Sequence, residues 1–119
     1  MAKHNELGAL GEALAVEFLQ KNKYKIVERN WRFKKAEIDI IAQKNNVLAI
    51  VEVKTRSSNY FGNPQDFVNP KKIKLLLSAI DNYVIERDLD VEVRFDIIAI
   101  ILQKKTTKIE HLKDAFFHF

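Results

Sequence analysis

The 119-residue sequence contains no cysteine, three glycines, two prolines and three histidines. The absence of cysteine excludes disulfides and thiolate-ligated zinc sites. The histidines, at positions 4, 111 and 118, are scattered, which argues against a histidine metal site. The longest apolar run, Ile97–Leu102, is far shorter than the roughly 18 residues that span a bilayer, and the N-terminus lacks the apolar core of a signal peptide. We therefore expect a cytoplasmic protein.

The chain length suits one compact domain, and we predict a single domain over residues 1–119. Hydrophobic residues make up 47% of the chain and charged residues 30%, which is an ordinary balance for a globular protein. The net charge of +4 permits a nucleic-acid partner without demanding one.

The most informative stretch is Ala36–Arg56, where two β-prone runs flank a polar tetrad. Asn45-Asn46 suits a two-residue hairpin turn, because asparagine tolerates the positive φ that such turns require. This turn sets Lys44 opposite Val47. Continued along both strands, the same register sets residue 39 opposite residue 52, and residue 37 opposite residue 54.

That register gathers four charged side chains, Glu37, Asp39, Glu52 and Lys54, on one face of the hairpin. Directly opposed Cβ atoms lie roughly 4.5–5.5 Å apart. Two carboxylates at that distance repel each other unless a cation lies between them. Asp39 and Glu52 therefore predict a divalent-cation site with Lys54 beside it. The competing interpretation is a solvated strand face with a Glu37–Lys54 ion pair.

Asp39, followed thirteen residues later by Glu52-Val53-Lys54, resembles the D…ExK signature of the PD-(D/E)XK nuclease superfamily. A longer ordered set of residues resembles the YraN-type family of small bacterial proteins, which is itself similar to archaeal Holliday-junction resolvases. This set comprises Gly11-Glu12, Asn30, Ala36–Asp39, Val51–Arg56, Arg94–Asp96 and Ala115-Phe116. The family usually has glycine at the position of Ala36, where alanine would be strained if the backbone needs a positive φ.

The resemblance implies a restriction-endonuclease-like domain with three α/β/α layers around a mixed central sheet. It implies Mg²⁺ or Mn²⁺ as cofactor, since hard cations prefer oxygen ligands. The implied metal ligands are Asp39, Glu52, the Val53 carbonyl and Glu12. Lys54 would orient the attacking water or stabilise charge on the phosphate. Lys72 would contact a phosphate.

Helical periodicity predicts a first helix, capped by Asn5 and running to about Lys21. Its expected core-facing residues are Leu7, Leu10, Leu14 and Phe18. A second stripe on this helix consists of Gly8, Glu12, Ala15 and Leu19, and a close approach of the backbone to the sheet would explain the glycines at positions 8 and 11. From spacing alone, Glu12 is either an acid on the helix surface or a residue of the site.

A second helix is predicted from Pro70 to about Arg87. Its expected buried face consists of Ile73, Leu76, Leu77, Ile80 and Val84. Thr55–Asn69 reads as a long loop, which in compact domains is typically functional or mobile. Lys72 lies at the margin of the buried face. The alternative to a phosphate contact is that this lysine is simply solvated.

Further strands are predicted at Tyr24–Trp31, Val91–Leu102 and Lys108–Leu112, which gives the order α-β-β-β-α-β-β. Trp31 lies among basic residues and either stacks on nucleic-acid bases or anchors the strand to the core. Asp96 is either a buried polar anchor or an acid facing the site.

The predicted function is metal-dependent hydrolysis of phosphodiester bonds in branched or structured DNA, with the substrate inferred by analogy to resolvases. Arg32, Arg56 and Lys72 would contact the DNA backbone in a salt-dependent way. Two alternatives stay open: a nucleic-acid-binding module that does not cut, and a dimeric scaffold that meets partners through its phenylalanine-rich tail. A homodimer would suit symmetric cutting of two strands.

Overall fold

The computed structural model describes residues 2–57 and 70–115, with side chains from residue 6 onward. Seven elements follow one another in the predicted order: α1 (Ala2–Lys21), β1 (Lys25–Phe33), β2 (Ala36–Lys44), β3 (Val47–Arg56), α2 (Pro70–Glu86), β4 (Glu92–Leu102) and β5 (Thr107–Leu112). Most of the predicted Thr55–Asn69 loop, residues 58–69, lies outside the described residues. The end of the phenylalanine-rich tail, residues 116–119, does so as well.

The strands form one five-stranded mixed sheet in the order β1-β2-β3-β4-β5. β3 and β4 are parallel, and the other neighbouring pairs are antiparallel. The parallel pair needs a crossover connection, and α2 lies within that connection. The prediction of a mixed α/β fold with two helices is confirmed. No helix within the described ranges is long and apolar enough to cross a membrane.

The described interior consists of two hydrophobic clusters that use alternate residues of β3. Leu48 and Ile50 belong to the cluster that contains the buried face of α2. Ala49 and Val51 belong to the cluster that contains Ala15 and Leu19 of α1. Because successive side chains of a strand point to opposite faces, the two helices pack on opposite sides of the sheet.

The face that α1 buries matches the predicted one only in part. The helix begins at Ala2, so Asn5 lies inside it and not at its N-cap. Leu10 is 51% exposed, whereas Ala15 and Leu19 are fully buried. Leu14 and Phe18 are half-buried and pack against the same cluster as Ala15 and Leu19, so the prediction is wrong for Leu10 but confirmed for these two residues.

Gly11 explains this orientation of α1. A Cβ atom at Gly11 would lie 1.8 Å from Oγ1 of Thr55 in β3, so only glycine permits the observed approach. The predicted close approach is thus confirmed for Gly11. It is wrong for Gly8, where a Cβ would meet nothing within 4 Å.

α2 begins at Pro70 as predicted, since proline is well tolerated in the first turn of a helix. Leu77 was expected to be buried but is 45% exposed. Ala79 and Tyr83 are buried instead. The buried tyrosine keeps its hydroxyl satisfied by donating to Glu28 of β1 at 3.2 Å.

Asp96 is fully buried and serves as a polar anchor, the first of its two interpretations. Its carboxylate accepts two hydrogen bonds from Arg94 at 2.9 Å and one from the Asp114 amide at 3.0 Å, and it contacts His111 Nε2 at 2.8 Å. Burial alone would raise the pKa of Asp96, but the bonds from His111, Arg94 and the Asp114 amide hold it below the ordinary value. This network ties β4 to β5 and to the chain that follows β5.

Candidate metal-binding site

The hairpin of β2 and β3 has the predicted turn and register up to the edge of the site. Asn45 has a φ of 55°, and Lys44 pairs with Val47. The ladder ends at Ile40–Val51, so the predicted pairing of residues 39 and 52 is not formed. The two strands separate at this point and leave room for side chains between them.

Asp39 lies where the strands separate. Its Oδ2 accepts a hydrogen bond of 2.8 Å from the backbone N–H of Val53, in place of a bond between the strands. Burial raises the pKa of Asp39 to about 6; the Val53 N–H opposes the rise, and the negative charges of Glu52, Glu12 and Glu37 add to it. Three further acids thus act electrostatically on one half-buried carboxyl group.

Two adjoining clefts share Asp39, Glu37, Val53 and Lys54 as common lining. The α2 cleft is the one that also contains Glu52 and Lys72. The α1 cleft is the one that also contains Glu12 and Arg56. The four residues predicted to be catalytic, Glu12, Asp39, Glu52 and Lys54, therefore all line this pair of clefts, and Asp39 and Glu52 line the same one.

Glu52 has one oxygen in an ion pair and one without a partner. Its Oε1 contacts the ammonium of Lys72 from α2. Its Oε2 is buried and has no hydrogen-bond partner among the described residues. A buried oxygen without a partner is costly, and a cation would satisfy it. Lys72, predicted as a phosphate contact, is thus bound to an acid of the site.

Glu12 is held from β1 by two residues to which the sequence assigned no role in the site. Its Oε1 accepts from Asn30 Nδ2 at 2.9 Å, and from Arg29 Nε and Nη2 at 3.4 and 3.3 Å. The contact of Gly11 with Thr55 brings this part of α1 onto β3. Asn30 has a φ of 52°, and an asparagine within a strand pattern is a signal that could have drawn attention to it.

At Asn30, with its positive φ, the side chains of β1 also change the face of the sheet on which they lie. Arg29 reaches Glu12 on the α1 side, whereas Trp31 packs in the cluster on the α2 side, although residues two apart in a regular strand share a face. Trp31 lies edge-to-face with Tyr83 at a centroid distance of 5.2 Å. Trp31 therefore anchors its strand to the core.

The predicted basic contacts differ in their surroundings. Arg56 is exposed and lines the α1 cleft. Arg32 is 73% exposed in its side chain and pairs with Glu37 at 3.2 Å. Ala36 has no positive φ, so the strain considered there does not arise; Lys34, in the preceding turn, has a φ of 56°.

The donor set fits a divalent cation, although the acids are turned to other partners. Across residues 6–57 and 70–115, no three carboxylate or histidine side chains are already grouped around one point that could hold an ion. Glu12 is held by β1 and Glu52 by Lys72. The oxygen donors are the kind that Mg²⁺ prefers. A cation would also satisfy the buried Glu52 oxygen and offset both the burial and the repulsion that raise the pKa of Asp39.

Comparison with known proteins shows which family this chain resembles. A family model described as "Uncharacterised protein family UPF0102" matches residues 11–100, a range that includes all the residues of the two clefts except Leu7 and Gly8. The chain is 66% identical to a UPF0102 protein of Flavobacterium psychrophilum and 62% identical to one of Christiangramia forsetii, each over the whole of both chains. It is 49% identical to a UPF0102 protein of Bacteroides fragilis over 98% of this chain and 97% of the other.

Proposed function

This chain belongs to the UPF0102 family, and we propose that it is a metal-dependent nuclease that hydrolyses phosphodiester bonds in branched or structured DNA. The resemblance to the YraN-type family is confirmed at the level of this membership. The restriction-endonuclease-like, three-layer fold and the similarity to junction resolvases are parts of the proposal.

One observation carries the proposal. Asp39 and Glu52 come from the two strands of one hairpin and line one cleft together with Lys54. The strands separate there, and the pKa of Asp39 is raised to about 6 by burial and by the neighbouring acids. An acid with a perturbed pKa in a cleft is a feature of functional sites, and Asp39 shares its cleft with a second carboxylate and a lysine.

Asp39, Glu52 and the Val53 carbonyl would hold the ion, and Glu12 would complete its ligands or stand just behind them. When bound, Mg²⁺ or Mn²⁺ would supply Lewis acidity next to the scissile phosphate. The N–H of Val53 fixes the Asp39 carboxylate in place. The Lys54 ammonium, which lines both clefts, would orient the attacking water and stabilise the charge that develops on the phosphate.

Basic residues around the clefts would bind the DNA backbone. Arg56 and Lys72 line the clefts, and Arg32 lies next to Glu37 on their margin. Contacts of this kind make affinity fall steeply with salt. DNA as substrate implies a cytoplasmic location, and symmetric cutting of a junction implies a homodimer.

The proposal is tested by incubating the protein with four-way, flap and linear DNA in Mg²⁺ or Mn²⁺. Glu52→Gln keeps the shape of the side chain but removes its charge. It should reduce cutting at least about 100-fold, because even residues that only support metal ligands are worth 10–100-fold. Glu110→Gln is the matched control, because Glu110 is an exposed acid on β5 outside both clefts.

The same assay separates the alternatives. Binding of DNA without cutting in either metal would favour a binding module, and the absence of both binding and cutting would favour a scaffold. Cutting by Glu52→Gln at the wild-type rate would show that the described clefts are not the catalytic site.

A further inference from the structure

We propose that Lys72 is the resident counter-cation of the acidic site, bound to Glu52 until a divalent cation displaces it. This inference rests on the metal site of the proposed function and adds a means by which the site is neutralised before the ion arrives. It also assigns the released ammonium to a phosphate of the substrate.

The position of Lys72 in α2 argues for a specific acidic partner. It lies two residues after Pro70, at the start of the helix, and no acidic residue stands in that first turn. The positive end of the helix dipole disfavours a cation there. The ion pair with Glu52 offsets that cost, and it is only partly open to solvent, with side-chain exposures of 33% for Lys72 and 14% for Glu52.

The two oxygens of Glu52 suggest that the ammonium and the ion exclude each other. Oε1 is taken by Lys72, while the buried Oε2 lacks a partner among the described residues. An ion shared by Glu52 and Asp39 would lie beside the same carboxylate as the ammonium. Two cations at one carboxylate repel each other, so binding of the ion should weaken the Lys72 contact.

Displacement leaves the ammonium on the wall of the α2 cleft. Lys72 lines this cleft together with Lys54, Asp39 and Glu52. A phosphate held near the ion would therefore lie within the same cleft as the released lysine. Lysine binds phosphate as a point charge and needs no fixed geometry for it.

Calorimetric titration with MnCl₂, without DNA, tests the competition. Lys72→Met removes the competing charge and should tighten Mn²⁺ binding about fivefold, the upper end of what a partly exposed ion pair contributes. Lys72→Arg keeps the charge and should bind within about threefold of wild type. Lys74→Met, at an exposed lysine on the same helix, is the matched control and should change affinity less than about twofold.

Each outcome decides between the role of Lys72 and the metal site itself. Equal or weaker Mn²⁺ binding by Lys72→Met, with wild type binding normally, would overturn the counter-cation role and leave the proposed function standing. Failure of wild type and variant alike to bind Mn²⁺ or Mg²⁺ would remove both. Lys72→Gln gives the same comparison if the methionine variant does not fold.

Salt dependence of DNA binding tests the release of the ammonium. In Ca²⁺, which also takes oxygen ligands, the slope of log affinity against log salt should be smaller in Lys72→Met than in wild type by about 0.9, the value of one phosphate contact. Without a divalent cation the two slopes should agree, because Lys72 is then bound to Glu52. Equal slopes in Ca²⁺ would overturn the assignment of Lys72 to a phosphate.

Discussion

Replacing Asp39 by asparagine should stabilise the metal-free protein at neutral pH. The raised pKa of Asp39 means that the folded protein holds this proton more tightly than the unfolded chain does. Ionised Asp39 therefore costs folding free energy, because it is buried close to Glu52, Glu12 and Glu37. Asparagine removes the charge and keeps an oxygen that can accept the bond from the Val53 N–H.

The magnitude follows from the two pKa values. The ordinary value is 3.8 and the folded value is about 6. At about 1.4 kcal/mol for each tenfold change in proton affinity, the ionised carboxylate costs about 3 kcal/mol of unfolding free energy. The cost is complete above about pH 6, fades as the pH falls, and vanishes below about pH 3.8, where both states are protonated. The Asp39→Asn variant should therefore gain up to about 3 kcal/mol over wild type at pH 8 and little at pH 4.

Urea denaturation between pH 4 and pH 8 in EDTA measures this difference. Trp31, the only tryptophan, packs against Tyr83 and provides a fluorescence signal for unfolding. Comparison of wild type with the variant at each pH cancels most other titrating groups. Asp81→Asn, at an exposed acid of α2, is the control and should stay within about 0.5 kcal/mol at every pH.

Added Mg²⁺ should make wild type more stable than Asp39→Asn, the reverse of the order of stability in EDTA. An ion that binds the folded state stabilises it by mass action, and wild type should gain much more from added Mg²⁺ than Asp39→Asn does. A stability difference that does not vary with pH would refute the claim that the ionised Asp39 carboxylate destabilises the folded state. A variant that is less stable than wild type at pH 8 would refute it as well.

Three further predictions concern the supports of the site. Gly11→Ala should destabilise the fold by about 1–3 kcal/mol through its clash with β3, whereas Gly8→Ala should stabilise it by up to about 1 kcal/mol. Urea denaturation measures both changes. If both had the same sign, the described packing of α1 on β3 would be contradicted. Asp96→Ala should cost about 3–5 kcal/mol in the same assay, because it leaves half-buried Arg94 without its carboxylate and the Asp114 amide without its acceptor, and a loss under 1 kcal/mol would contradict the role of the network as an anchor. Asn30→Gly tolerates the positive φ but loses the bond to the first-helix glutamate, so it should weaken Mn²⁺ binding about tenfold with little change in stability, and unchanged affinity would exclude a positioning role.

The β2–β3 hairpin shows how much of a strand register can be predicted from residues that are close in sequence. An asparagine turn with β-prone runs on each side sets the register through Lys44–Val47 up to Ile40–Val51, because that pairing depends only on residues close in sequence. The place where the strands separate was not predicted. At that place the Asp39 carboxylate, and not the ladder, takes the Val53 N–H.

Pattern along the chain predicted the order of the elements and the hairpin register from Lys44–Val47 to Ile40–Val51, and it placed Asp39, Glu52 and Lys54 near one another although residues 39 and 52 do not pair. Contacts between distant elements set the rest: Ala15 and Leu19 of α1 are buried, Glu12 is held by Arg29 and Asn30, and Lys72 pairs with Glu52. The difference follows from distance along the chain. Periodicity and turn chemistry act between near neighbours, whereas the partner of a buried charge is set by whichever distant element packs against it.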